Sequence, residues 1–199
     1  MTYVLGLTGG IACGKTTASN ILREFGAKII DGDIVARQLQ CKNQIGLNKI
    51  VTEFGTEYLL SNGELNRKKL GDLVFNNQKE LEKLNQIMSP LIKHEILNEL
   101  QNLKQKQVKL IVLDIALLFE GKYERFCTST MVICTTRERQ IKQLMERNHF
   151  TKQDAIARID AQISSKVRNQ NADFIIKNDG TFEDLKLKMI KWLSMNKLL

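Results

Sequence analysis

The sequence has few of the residues that mark secreted, disulfide-linked proteins. Only four cysteines occur among 199 residues, with no CxxC pair and no histidine pairing of the zinc type. This argues against a disulfide scaffold and a zinc site, and it is typical of reduced thiols in the cytoplasm. The single proline, Pro90, and the lack of a flexible linker or an internal repeat favour one compact unit with insertions.

Long apolar runs and aromatic residues are also scarce. No run approaches the roughly 18 to 20 residues of a membrane helix, and the first residues lack the pattern of a signal peptide. We therefore expect a soluble cytoplasmic protein without a membrane partner. Aromatic residues make up 6% of the chain and do not interleave with its basic stretch, which argues against RNA binding.

Acidic residues are fewer than basic residues. Lysine and arginine number 30 against 22 acidic residues, and the net charge of +8 suits a polyanionic ligand. Nucleotides and nucleic acids are the candidates that this charge leaves open, beside a basic surface without a function.

Short apolar runs recur along the chain and are rich in Ile, Val and Leu, as in strands buried on both faces. They lie at Tyr3–Thr8, Lys28–Asp31, Leu110–Ala116, Thr130–Thr135 and Asp173–Lys177. Helical patterns separate them. The sequence therefore predicts an α/β fold with a five-stranded parallel sheet and helices on both faces.

Three helical patterns have recognisable starts or faces. Apolar residues from Ala18 to Phe25 follow helical spacing after the first strand. The same spacing from Ala155 to Val167 predicts a helix with Thr151 as its N-cap and Asp154 three residues on. A second pair of this kind, Thr181 and Asp184, predicts the last helix from Phe182 to about Lys197.

Two stretches interrupt the alternation of strands and helices. Residues 34–105 are mostly helical and far exceed what a crossover between two strands requires, so we predict an inserted helical subdomain. Residues 136–170 are helical and basic. The prediction is a single domain over residues 1–199, whose core comprises residues 1–33, 106–135 and 171–199.

A GxxxxGK[ST] pattern lies between the first strand and the first helix, where a phosphate-binding loop requires it. Glycines at 9, 10 and 14 allow successive N–H groups to point at phosphate oxygens, and the helix N-terminus adds partial positive charge. Lys15 would reach the β- and γ-phosphates of ATP, and the Thr16 hydroxyl would bind Mg²⁺. Cys13 is expected to point away from phosphate, with a redox role as the alternative.

Carboxylates follow the second strand. Asp31-Gly32-Asp33 ends that strand, at the sheet edge where parallel folds gather ligands. Transfer to an alcohol needs a carboxylate that orients the hydroxyl, and Asp33 is the candidate. The alternative for Asp33 is an N-cap of the next helix. Asp114, in the third strand, is either an acid that assists Mg²⁺ or a structural carboxylate.

Taken together, these residues resemble the dephospho-coenzyme A kinase family over about residues 2–193. The most specific segments are Gly6–Ile11 with the loop through Lys15, and Ile30–Arg37. Further segments fall in family order: Leu117–Glu120, Gln140 with Arg147, Ala157–Ile159 with Ala161-Gln162, and Ala172-Asp173 followed by Asn178 and Gly180.

The resemblance implies ATP-dependent phosphorylation of the ribose 3′-hydroxyl of dephospho-CoA, the last step of coenzyme A synthesis. It implies Asp33 as catalytic base, with Lys15 and Arg147 steadying the transferred group. Residues 34–105 would bind the acceptor and residues 136–170 would form a lid. The implied ATP-binding residues are Gly9, Gly10, Ile11, Ala12, Cys13, Gly14, Lys15, Thr16, Thr17, Asn178 and Gly180. The implied acceptor-binding residues are Thr8, Asp33, Arg37, Leu117 and Leu118, and Thr16 and Asp33 would bind Mg²⁺.

The chain departs from the family pattern at several positions. Ser89 precedes Pro90 where the family has histidine, and Gln143 and Ser165 stand where arginine is common. We expect an active enzyme with fewer phosphate contacts from its lid. The alternatives are a kinase for another small alcohol or nucleotide, a non-catalytic nucleotide-binding switch, or an RNA-binding protein. No nucleic acid and no obligate protein partner is expected.

Overall fold

The computed structural model describes residues 2–199, which contain five β-strands and nine α-helices. The strands are β1 (Tyr3–Gly9), β2 (Lys28–Asp31), β3 (Leu110–Asp114), β4 (Ser129–Cys134) and β5 (Phe174–Lys177). The helices are α1 (Lys15–Glu24), α2 (Gly32–Leu39), α3 (Ile45–Phe54), α4 (Arg67–Asn76), α5 (Gln78–Gln105), α6 (Arg137–Asn148), α7 (Lys152–Asp160), α8 (Ser165–Gln170) and α9 (Phe182–Met195). Short 3₁₀ turns occur at Thr56–Tyr58 and Glu124–Phe126.

The strands form one sheet in the order β2-β3-β1-β4-β5, and the predicted five-stranded α/β fold is confirmed. β1 pairs in parallel with β3 and β4, and β4 pairs in parallel with β5. Every residue of β3 is buried. Because consecutive strand residues point to opposite faces, both faces of the sheet are covered there. The prediction of full burial is wrong for the two strands at the sheet edges: β5 alternates between half-buried and exposed residues, and only Ile30 of β2 is buried.

The core on one face of the sheet is formed with α1 and α9. Ile21 and Leu22 of α1 and Met189 of α9 are fully buried against strand residues such as Leu7 and Met131. Trp192 extends this core, because the Tyr3 and Phe174 rings both meet it edge-on at 5.9 Å between ring centroids. This packing fixes the first turn of α1 beside the carboxyl end of β1.

The predicted helix starts are confirmed, but one predicted helix is interrupted. Thr151 accepts a bond from the Asp154 N–H and begins α7, and Thr181 forms a reciprocal capping box with Asp184 at α9. The apolar spacing from Ala155 to Val167 does not form one helix. The chain leaves α7 after Asp160, and Ser164 caps the new helix α8. None of the helices within residues 2–199 combines the length and apolar character that a membrane crossing requires.

The chain divides into two compact units. One comprises the chain up to Ile30 together with Leu103–Leu199, and it contains the sheet core. The other is Asp31–Asn102, in which α3 packs against α2 and against the 3₁₀ turn at Thr56–Tyr58. In this second unit the Phe54 and Tyr58 rings meet edge-on with centroids 6.2 Å apart.

Asp173, directly before β5, binds Thr130 of β4 and should contribute to stability. Its Oδ2 accepts hydrogen bonds of 2.8 Å from both the N–H and the hydroxyl of Thr130, which is 4% exposed. Asp173→Ala leaves these buried donors without their charged acceptor, so we expect a loss of about 2–4 kcal/mol in the free energy of unfolding. Urea denaturation followed by Trp192 fluorescence measures it. Asp154→Ala, at an exposed helix cap of the same unit, is the control and should lose roughly 1 kcal/mol or less; equal losses would contradict the prediction.

Candidate nucleotide-binding site

The loop between β1 and α1 turns tightly through residues 9–14. The Cys13 N–H donates to the Gly10 carbonyl at 3.1 Å, and Ala12 and Gly14 adopt left-handed backbone with φ of 59° and 90°. Glycine is required at position 14 for a second reason, because a Cβ there would collide with Nδ2 of Asn178. The sequence pattern thus produces the curled backbone that a phosphate-binding loop needs.

The N-terminus of α1 differs from those of the other helices near the site. Its N-cap is Gly14, no side chain caps it, and its first turn contains no acidic residue. In contrast, Thr136 caps α6 and Thr151 caps α7 through their side chains. The first N–H groups of a helix have no intrahelical partner and carry partial positive charge. This end of α1 is therefore suited to an anion.

Three side-chain amides hold the loop through backbone atoms of Ile11 and Cys13. Gln140 Nε2 donates to the Ile11 carbonyl at 2.7 Å, and the Ile11 N–H donates to Gln162 Oε1 at 2.9 Å. Asn178 Nδ2 donates to the Cys13 carbonyl at 3.0 Å. None of these bonds uses an N–H group of residues 12 or 14–16. The amides therefore fix the shape of the loop and leave those donors to a ligand.

The lysine of the loop is held by a buried carboxylate. Lys15 forms an ion pair with Asp114, which lies at the end of β3 and is 3% exposed. A buried carboxylate is stable only when paired, and the pair directs the Lys15 ammonium along the β3 edge of the loop. Asp114 is thus a partner of Lys15 in this structure, and its role as an acid that assists Mg²⁺ stays a prediction.

Asn178 and Gly180, predicted to bind ATP, lie in a turn that α6 and β4 fix. The Gly180 carbonyl accepts a hydrogen bond from Arg139 Nη2 at 2.8 Å, and the Asn178 carbonyl accepts one from the Thr135 hydroxyl at 3.0 Å. The Asn178 side chain binds the phosphate loop itself. This turn and the loop are thus brought together in one site.

The remaining candidates of the sheet-containing unit fall into two groups. Thr8 and Leu118 are buried, and the Thr8 hydroxyl donates to the Ala116 carbonyl at 2.9 Å. Their side chains therefore belong to the packing beside the site. Leu117 is 59% exposed, and Arg147 is exposed at the last turn of α6, where its Nε donates to Asn148 Oδ1 at 2.9 Å.

In the second unit, Asp31 and Asp33 have different environments. Asp31 Oδ1 accepts from the N–H groups of Asp33 at 2.8 Å and Ile34 at 3.1 Å, so Asp31 is the N-cap of α2. The alternative that Asp33 caps this helix is therefore wrong. The Asp33 side chain is exposed and makes no hydrogen bond or ion pair within residues 2–199. Arg37 is exposed one turn further along α2.

Cys13 has the character of a structural thiol. Its side chain is 4% exposed, and this burial raises the pKa of the thiol above its ordinary value. A raised pKa keeps the sulfur protonated and unreactive at neutral pH, which disfavours the redox alternative.

The arrangement of sheet, loop and helix defines a class of protein. A parallel sheet whose central strand leads through a glycine-rich loop into an uncapped helix, with a lysine at its first turn, is the phosphate-binding half of a P-loop nucleotide-binding protein. A solved shikimate kinase from Acinetobacter baumannii in complex with shikimate shares the fold, with a TM-score of 0.55 at 16% identity, over 100% of this chain and 97% of that one.

Sequence and structural similarity then place the chain in a family. The dephospho-CoA kinase family profile matches residues 3–184. The dephospho-CoA kinase of Lactobacillus johnsonii is 42% identical over 189 residues, which cover 95% of this chain and 96% of that protein. The solved dephospho-CoA kinase from Campylobacter jejuni is 32% identical with a TM-score of 0.75, over 98% of both chains. The chain belongs to the dephospho-CoA kinase family.

The same substitution, glutamine to glutamate, should have different effects at the two glutamines that bind Ile11. Gln140 acts as a donor and Gln162 as an acceptor, and a glutamate can only accept. Gln162→Glu therefore keeps its bond to the Ile11 N–H, whereas Gln140→Glu places a carboxylate against the Ile11 carbonyl. Both add the same charge beside the loop, so each is the control for the other.

We expect Gln140→Glu to weaken ADP binding about tenfold or more relative to Gln162→Glu, because the Ile11 carbonyl loses its donor and faces a carboxylate instead. Isothermal titration with ADP measures the two dissociation constants. Equal losses in the two variants would show that charge alone matters and that the amides do not position the loop.

Proposed function

We propose that this chain transfers the γ-phosphoryl group of ATP to the ribose 3′-hydroxyl of dephospho-CoA, giving coenzyme A and ADP, the last step of coenzyme A synthesis. The use of ATP is supported by the uncapped N-terminus of α1. The loop in front of it is held in shape by Gln140 and Gln162. Membership of the dephospho-CoA kinase family supports the acceptor.

Asp33 is the proposed catalytic base. It lies two residues beyond β2, whose carboxyl end belongs to the edge where parallel sheets bind ligands. Because Asp31 takes over the capping of α2, the Asp33 carboxylate has no structural task of its own. A carboxylate in this condition can orient an alcohol and accept its proton as the new phosphate ester forms.

Lys15 and Arg147 are the proposed cations that steady the transferred group. Asp114 pairs with the Lys15 ammonium and restrains it, so its charge is held beside the phosphate loop. Arg147 is exposed on α6, and we propose that residues 136–170 act as a lid that brings it to the phosphate. Within this lid, half-buried Gln143 and exposed Ser165 replace two arginines common in the family, so the lid offers fewer phosphate contacts than is usual there.

The acceptor is proposed to bind through residues 34–105 and the segment after β3. Arg37 and Leu117 have exposed side chains that can touch it directly. Thr8 and Leu118 are buried, so we propose that they support the acceptor site from within, with the Thr8 hydroxyl fixing the Ala116 carbonyl.

Mg²⁺ is proposed to bind with the nucleotide. The described residues contain no cluster of three or more His, Cys, Asp or Glu side chains that could hold it alone, which suits an ion whose ligands are mainly phosphate oxygens and water. Thr16 is exposed on the first turn of α1, and its hydroxyl and the Asp33 carboxylate are oxygen ligands of the kind Mg²⁺ prefers. When bound, the ion would neutralise charge on the phosphates.

We also propose a domain organisation and a cellular compartment for this protein. The chain acts as a single kinase domain, whose core of residues 1–33, 106–135 and 171–199 carries the acceptor-binding insertion at 34–105. We place it in the cytoplasm, since its four cysteines are free thiols, as is usual in a reducing compartment. It acts without nucleic acid or an obligate protein partner.

The direct test is a titration of dephospho-CoA in an assay that follows ADP release. We expect saturable, acceptor-dependent ADP release with coenzyme A as the product, identified by its mass. Other small alcohols and nucleotides serve as comparison acceptors. Faster turnover of one of them would favour the alternative kinase, and nucleotide binding without turnover of any acceptor would favour a switch.

Asp33→Asn tests the base. The amide cannot accept the proton, so acceptor-dependent ADP release should fall by about 10²-fold or more while ATP binding stays nearly unchanged. Asp31→Asn is the matched control. It removes a carboxylate two residues away but retains an N-cap, so its rate should remain close to that of the wild type. Turnover that survives in Asp33→Asn would refute the assignment.

A further inference from the structure

Arg168 is a buried cation without a counter-charge. Its side chain on α8 is 5% exposed, and no carboxylate among the described residues lies within ion-pair distance of it. Its Nη2 donates to the Ile163 carbonyl at 3.2 Å, whereas the buried Nε has no hydrogen-bond partner. Most of the donor capacity of this guanidinium therefore remains unused.

Such an arrangement opposes folding. A buried charge without a partner destabilises the native state, and proteins usually pair it or replace it. Even the exposed Arg137, which lines a cavity together with Arg168, is paired, because it binds both oxygens of Asp160, at 2.7 and 2.9 Å. One bond to the Ile163 carbonyl does not explain why a full charge is buried at Arg168.

The position of the charge suggests its use. Arg168 lines a cavity of about 220 Å³ together with Gly10, Cys13 and Gln140. Its Nη1 lies directly against the phosphate loop, since a Cβ at Gly10 would be 3.2 Å from it. The cation is thus fixed beside the loop that receives phosphate.

We infer that Arg168 is an electrostatic positioning residue for nucleotide binding, whose uncompensated charge behind Gly10 favours anionic phosphates in the loop. The inference rests on the proposed function for the presence of a nucleotide. The field of a buried charge is screened less by solvent and salt than that of a surface charge. Because the guanidinium is already in place, it needs little reorganisation when phosphate binds.

This role predicts opposite effects on folding and on binding, as at other sites where function opposes stability. Arg168→Met keeps much of the apolar bulk and removes the charge. The nucleotide-free protein should then melt within about 2 °C of the wild type, or higher. ADP should bind roughly tenfold or more weakly. AMP, which carries less charge, should lose less affinity than ADP.

The experiment measures the melting temperature without nucleotide and the dissociation constants for ADP and AMP by isothermal titration. Lys166→Met is the matched control, because it removes one charge from an exposed position of the same helix and should change all three quantities little. Arg168→Lys keeps the charge without the planar fork and should retain more ADP affinity than Arg168→Met.

Three results would overturn the inference. Failure of Arg168→Met to fold, or a clear fall in its melting temperature, would show that Arg168 serves the fold. Unchanged ADP affinity would show that the charge does not act on phosphate. Equal losses for ADP and AMP would exclude an electrostatic effect. Wild-type ADP binding and dephospho-CoA turnover, measured in parallel, separate these results from a failure of the proposed function.

Discussion

The conformation of the phosphate loop is the constraint on which the site depends. A loop that presents N–H groups to an anion cannot satisfy them within itself, so other groups must hold its shape. In this protein the peptide of Ile11 is bound at both of its polar atoms, by Gln140 and Gln162, and Asn178 binds the loop two residues later. The ligand then meets a loop that is already formed, and less of its binding energy is spent on ordering the chain.

The same bonds connect nucleotide binding to the α6–α8 segment (residues 137–170). Gln140 lies on α6, and Gln162 lies in the break between α7 and α8. That break ends α7 early and allows Ser164 to begin α8, which carries the buried Arg168. If this segment moves as a lid, its motion and the state of the loop are coupled through these contacts. Closure would then act on the nucleotide as well as on water.

Apolar runs and local motifs were sufficient to predict the fold and the phosphate loop, because both depend on the spacing of residues that are close together in the sequence. The five strands, the loop and the caps at Thr151 and Thr181 are of this kind. The supports of the loop are not local, since Gln140 and Gln162 are 129 and 151 residues from Ile11 along the chain. The resemblance to the family included both glutamines, but only the tertiary structure shows what they bind. Likewise, a periodic pattern could not reveal that Ser164 restarts the helix.

Hydrogen exchange of the Ile11 amide in the nucleotide-free protein shows whether the loop is formed before ligand binds. If the glutamines hold the loop before ligand binds, this amide exchanges much more slowly than those of Ala12 and Gly14, which the amide side chains leave untouched. Resolved by NMR, the three rates can be compared within one sample. An Ile11 amide that exchanges as fast as its neighbours, and becomes protected only when nucleotide is added, would contradict the account.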